Sequence, residues 1–247
     1  MTVVGNSTVQ ILVVAGLAAS AAARADDFRV QAQLLYDHIN VSGAGTSDGD
    51  VLSASGTYFL EPVPTDGVPV AEAAYIARSS YANVVASHLD FGDNVDALAA
   101  NLGYHVPDTI FFGRLGVVRT DFPGGDDTSW NGTFGIVPIP RLFLGTDFNE
   151  DGWDPNVTAR YVGKLANGHW YGASVSAADP DVGENRVGVE FDYYFDTFSV
   201  GGGFNSGGDR WSVRAEKGLP NGFALLGRVY TDDGGDGFGL TLTWRDL

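Results

Sequence analysis

The sequence predicts an all-β chain: an antiparallel, up-and-down transmembrane barrel of about fourteen strands, its apolar face turned out to lipid. Three observations carry this. Segments of about ten residues alternate apolar and polar side chains, which a strand places on opposite faces. Turn residues separate these segments at regular intervals. The connections also alternate, acidic and glycine-rich at each odd one and mostly tight at each even one.

Composition narrows the alternatives. A chain of 247 residues is ample for one large β domain. Its body holds no apolar run of about 18 residues, which excludes a bundle of membrane-spanning helices. With no cysteine there is neither a disulfide nor a thiolate metal site. The formal net charge of −17 argues against nucleic acid as a partner. Residues 1–25 read as a signal peptide, since an apolar run is followed by Ala23-Arg24-Ala25, a small-x-small cleavage pattern, although no Lys or Arg precedes the run. Cleavage there leaves residues 26–247 as the barrel.

The first strand is expected over 28–40, with Phe28, Val30, Ala32, Leu34 and Tyr36 on one face and Arg29, Gln31, Gln33 and Asp37 on the other. The second, 51–61, sets Leu52, Ala54, Tyr58 and Leu60 against Ser53, Ser55, Thr57 and Glu61. The third is expected over 70–89, where an alanine-rich stretch is also compatible with a helical turn. Strands follow over 94–106, 109–120, 130–138, 141–148, 156–165 and 168–178. The tenth, 186–195, alternates Val187, Val189, Phe191 and Tyr193 with Arg186, Gly188, Glu190 and Asp192. After 197–205 comes 210–218, with Trp211, Val213 and Ala215 opposite Arg210, Ser212, Arg214 and Glu216. Strands over 222–231 and 236–245 complete the count, for which twelve and sixteen are the neighbouring values.

Alternation alone does not decide whether the apolar face meets a soluble core or lipid, because a sandwich and a membrane barrel share it. Three features favour lipid. Many strands in one meander suit closure, which removes exposed edges. The polar phase carries Arg29, Arg160, Lys164, Arg186, Arg210, Arg214, Arg228 and Arg245 among glycines and serines, as a crowded interior would. Tyr36, Tyr58, Tyr104, Tyr161, Tyr193, Phe195, Trp211, Tyr230 and Trp244 recur near strand ends, where interface girdles form. An even strand number puts both strand termini at the periplasmic end, with the tight turns.

Two stretches carry a family resemblance. In the last strand Gly239, then Leu242 and Trp244, resemble the C-terminal signal read by the outer-membrane assembly machinery, although the chain runs on through Arg245-Asp246-Leu247. Tyr58-Phe59, Pro62-Val63, Pro69, Ala71-Glu72-Ala73-Ala74-Tyr75, Arg78 and Ser79-Ser80 resemble the second and third strands of a family of proteobacterial outer-membrane porins. The resemblance covers about 25 residues and implies an outer-membrane β-barrel of a Gram-negative bacterium.

No chemistry of catalysis emerges. Asp147, Asn149, Asp151 and Gly152 alternate like the start of a calcium loop, but Thr158 stands where a bidentate Glu is required. His38, His88, His105 and His169 lie in no nucleophile elbow or metal-binding pair. Neither an enzyme activity nor a cofactor is expected. What remains is electrostatic. Arg29, Glu72, Arg78, Arg160, Lys164, Arg186, Glu190, Asp192, Arg210, Arg214, Glu216, Arg228 and Arg245 are the candidates to line a pore. Asp126, Asp127, Asp151, Asp154, Asp179, Asp181, Asp232 and Asp233 are the candidates for an acidic outer mouth. A channel for passive diffusion of small hydrophilic solutes or ions is expected. The other reading is a non-conducting structural barrel whose acidic loops contact lipopolysaccharide, cations or a protein. No loop is long enough to be an obvious folded plug.

Overall fold

The computed structural model describes residues 27–41, 48–150, 156–178 and 186–247. The signal-peptide segment and Asp151, Asp154, Asp179 and Asp181 lie outside the described residues. The strands are β1 (Phe28–Val41), β2 (Gly49–Val63), β3 (Tyr81–Asp90), β4 (Asn94–His105), β5 (Phe111–Phe122), β6 (Gly125–Ile139) and β7 (Leu142–Asn149), then β8 (Val157–Lys164), β9 (Trp170–Ala178), β10 (Arg186–Tyr194), β11 (Phe198–Asn205), β12 (Arg210–Gly218), β13 (Phe223–Asp232) and β14 (Gly235–Arg245). Each pairs antiparallel with its chain neighbours, and β14 pairs back onto β1, closing a fourteen-stranded barrel. Closure leaves no sheet edge, so every ladder N–H and C=O has a partner strand, as a hydrocarbon surround demands.

The apolar phase faces out. Leu34, Leu52, Leu98, Leu115, Phe191, Trp211, Val213, Val229 and Leu240 are all exposed, although each sits in a regular strand. Their strand neighbours Asp37, Glu216, Thr241 and Thr243 are buried. In a soluble barrel those two sets would be exchanged. The inversion is the burial pattern of a wall surrounded by lipid.

Two positions break the two-residue phase. A register shift between Phe28 and Val30 turns Phe28 inward, where it packs edge-on against Phe59. Arg29 is thereby turned to the outer side, where Nη1 donates to the Leu60 carbonyl at 3.2 Å. It leaves the set of pore-lining candidates. The residues beyond Trp244 fix this corner: Arg245 is buried, Asp246 Oδ1 accepts from the Arg29 and Val30 amides, and Leu247 packs onto the Phe28 cluster.

The connections depart from expectation. Residues 123–124 and 233–234 are two-residue turns, because β5–β6 and β13–β14 keep their ladders through the acidic stretches that read as loops. Asp126, Asp127 and Asp232 are therefore strand residues, and only Asp233 of the described mouth candidates sits in a turn. The longest connection lies at the other end, the one holding the strand termini. Residues 64–80 form no strand; they contain the short helix α1 (Ala73–Ala77) and deliver the chain to β3 at Tyr81. The expectation of a third strand from residue 70, and of no folded plug, is corrected here. Alanine favours a helical turn, and Arg78 ends it in the left-handed conformation at φ 58°.

Candidate functional site

Fourteen strands about 4.8 Å apart and tilted by about 40° enclose a backbone cylinder roughly 28 Å across. Residues 64–80 cross that space. On the near wall Val70, Ala73 and Ala74 form one apolar cluster with Phe28, Phe59 and Val63. On the far wall Ala71 joins Val162, Trp170 and Tyr194. β2 and β9 are seven strands apart in the ring, so the two clusters sit on opposite sides of the barrel.

Polar contacts fasten the crossing. Arg160 Nη2 donates to Glu72 Oε1 at 2.5 Å, and the Tyr194 hydroxyl donates to the same oxygen at 2.5 Å. The Tyr75 hydroxyl lies 2.9 Å from the Arg141 carbonyl oxygen and 2.8 Å from that of Arg160, both acceptors. The Arg160 guanidinium lies over the Tyr75 ring. Arg78 donates to the Thr109 carbonyl. Glu72 is fully buried, and its Oε2 has no hydrogen-bond partner among the described residues. Burial pushes the Glu72 carboxyl above the usual carboxylate range, against the pull of Arg160, and raises Tyr75 likewise.

A second set of charges lines the wall from β10 to β1. Arg214 Nη2 reaches Asp192 Oδ2 at 2.7 Å and Glu190 Oε2 at 3.1 Å. Arg228 holds Asp37, with Nε 3.2 Å from Oδ1. Arg210 holds Asp232 at 2.7 Å. Tyr230, expected in the outer girdle, shares the inward phase, with the guanidinium groups of Arg210 and Arg228 over its ring. Glu216 and Arg245 lie on the same inward faces, both buried, with Arg245 over the Phe28 ring. Lys164 extends over Trp170, and Arg186 covers Gly207 at the opposite end of its strand.

The facing wall carries fewer charges: on β5 Arg114 shares the inward phase, 3.6 Å from Asp147 on β7. Thr57, Asn83, Asn101, Gly116 and Asn131 follow one another in direct register across β2 to β6. Asn83 Nδ2 donates to Thr57 Oγ1 at 2.9 Å, and Asn101 Nδ2 to Asn83 Oδ1 at 3.4 Å. Sequence reasoning missed this amide row because asparagines on separate strands carry no spacing that links them. Of the mouth candidates, Asp126 lies 3.5 Å from Arg119, and Asp127 caps the Thr128 amide. Among the described residues no group of three or more metal-ligating side chains converges; Asp151 and Gly152 of the Asp147 stretch lie outside the described residues.

Comparison with known proteins gives a close architectural match. The crystal structure of the Acinetobacter baumannii outer membrane protein Omp33 superposes with a TM-score of 0.73 over 90% of this chain and 100% of that one, at 17% identity. A mutant porin of Rhodopseudomonas blastica (TM-score 0.47, 10% identity, 88% of this chain and 99% of that one) and the KdgM porin (TM-score 0.43, 10% identity, 86% and 98%) are too distant in shape to bear on this barrel. No protein-family model matches the chain, and no curated protein matches it. The chain has the fold of a bacterial outer-membrane porin-like barrel, fourteen-stranded and antiparallel throughout.

Proposed function

We propose that the chain is exported by its N-terminal signal peptide, inserted by the outer-membrane assembly machinery, and acts there as a passive channel for small hydrophilic solutes or ions. The observation that carries this is the inverted burial: apolar side chains outside a closed barrel, paired charges and amides inside. The interior side chains hydrate a path, and the outer carboxylates, Asp126, Asp127, Asp232 and Asp233 with Asp151, Asp154, Asp179 and Asp181, concentrate cations within a Debye length of about 8 Å. Lipid and lipopolysaccharide are its surroundings, and no cofactor takes part.

The test is conductance of refolded residues 26–247 in a planar bilayer under a KCl gradient. Discrete steps and a reversal potential of cation sign are expected. A folded, inserted and silent protein would replace this with the second reading, a structural or surface-interaction barrel. One observation favours that reading: residues 64–80 cross the interior and bury Glu72 completely.

A further inference from the structure

Six residues on six adjacent strands stand in one row of direct register: Asp192, Gly201, Arg214, Arg228, Gly239 and Asp37. The charges read minus, plus, plus, minus, and a glycine separates each carboxylate from its arginine. Neither ion pair joins neighbouring strands. Asp192 on β10 reaches Arg214 on β12 over β11, and Asp37 on β1 reaches Arg228 on β13 over β14.

The glycines make that reach possible. A Cβ at Gly239 would stand 1.9 Å from Asp37 Oδ1 and 2.9 Å from Arg228 Nε. A Cβ at Gly201 would stand 2.0 Å from Asp192 Oδ1. In each case any side chain would occupy the space in which the carboxylate lies. Both positions have ordinary extended backbone, so no turn or positive φ calls for glycine there.

We propose that Gly201 and Gly239 determine the solute preference of the channel. By letting Asp192 and Asp37 cancel Arg214 and Arg228, they deny anions a free cationic track and leave a wall suited to small neutral and zwitterionic polar solutes. The Thr57–Asn83–Asn101 amide row on the facing wall offers donors and acceptors without charge, which fits the same solutes. The inference rests on the channel reading above.

The test compares Gly239→Ala, Asp37→Asn and Gly227→Ala with the parent chain. The Gly227 side looks outward, and an added Cβ there meets only Leu240 Cδ2 at 3.8 Å. Gly239→Ala should displace Asp37, so it and Asp37→Asn should each lower the K⁺/Cl⁻ permeability ratio by about twofold or more. Gly227→Ala should leave the ratio unchanged. Adding Arg228→Gln to Asp37→Asn should restore it. Binding of inorganic phosphate to detergent-folded protein, followed by phosphorus NMR, supplies a readout that needs no conduction: both lumen variants should gain it and the parent should lack it. A heat-modifiable electrophoretic band confirms that each variant is folded. An unchanged ratio together with no gain of phosphate binding in the two variants overturns the proposal, as does phosphate binding by the parent equal to theirs. A silent parent membrane counts against the channel reading alone, and phosphate binding then decides this one.

Discussion

At the scale of single residues, Glu72 has the most consequential environment. It is a carboxyl with no exposure, held by Arg160 and Tyr194 and close enough to Asp192 to feel its charge. Its folded pKa is raised by burial, so the seated segment binds a proton more readily than a solvated Glu72 would. The sign follows from linkage. The contribution to the seated form is complete below the ordinary carboxylate value and is lost as pH rises through the raised one. Closed dwell times in single-channel records should therefore lengthen as pH falls, and Glu72→Gln should remove that dependence while the outer carboxylates still titrate. An identical pH profile in the variant would assign the effect to the mouth instead. None of this was legible beforehand. The sequence placed Glu72 on a wall among pore-lining candidates, whereas its partners on β8 and β10 come from across the barrel.

At the scale of elements, the strands were readable and the exceptions were not. Alternation locates a strand because one face meets lipid and the other meets polar groups, and it located thirteen of the strands to within a few residues. It misled over 70–80, where Ala71, Ala73 and Tyr75 alternate as a strand would but pack as a helical turn inside the barrel. It misled again at Phe28, because a bulge changes phase without changing composition. Acidic residues at strand ends read as loops, since turn chemistry and an exposed ladder end draw on the same side chains. The glycines of the charged row are likewise illegible one strand at a time, as their role exists only between the strands on either side. The crossing segment yields its own prediction. Replacing residues 65–79 by a short glycine-serine turn should leave the β2–β3 ladder intact, because its pairing runs between Asp50–Phe59 and Tyr81–Asp90. Conductance should rise severalfold in that deletion, and equal conductance would show that the segment does not limit the path.

For the whole molecule, everything turns on which medium the outer face meets. Its aromatic and aliphatic side chains are spread around the whole circumference, from Leu34 on β1 through Leu115 on β5 and Phe191 on β10 to Leu240 on β14. An exposed apolar surface of that extent would make a soluble monomer aggregate, yet it is what a barrel needs around its membrane belt. Arginine placed on the two faces of one strand separates the cases. Val213 lies mid-strand on β12, 63% exposed, and Ser212 beside it faces the interior. In a bilayer, Val213→Arg should cost folding stability by about 2–4 kcal/mol, because a guanidinium near the midplane has neither water nor a carboxylate partner. Ser212→Arg should cost far less, since Glu190 and the other polar groups of the interior stand close by. The measurement is reversible unfolding by guanidinium chloride in phosphatidylcholine vesicles, and the order of the two costs is what matters. A soluble barrel would reverse it, because arginine at an exposed position in water is nearly neutral while arginine in a packed core is not.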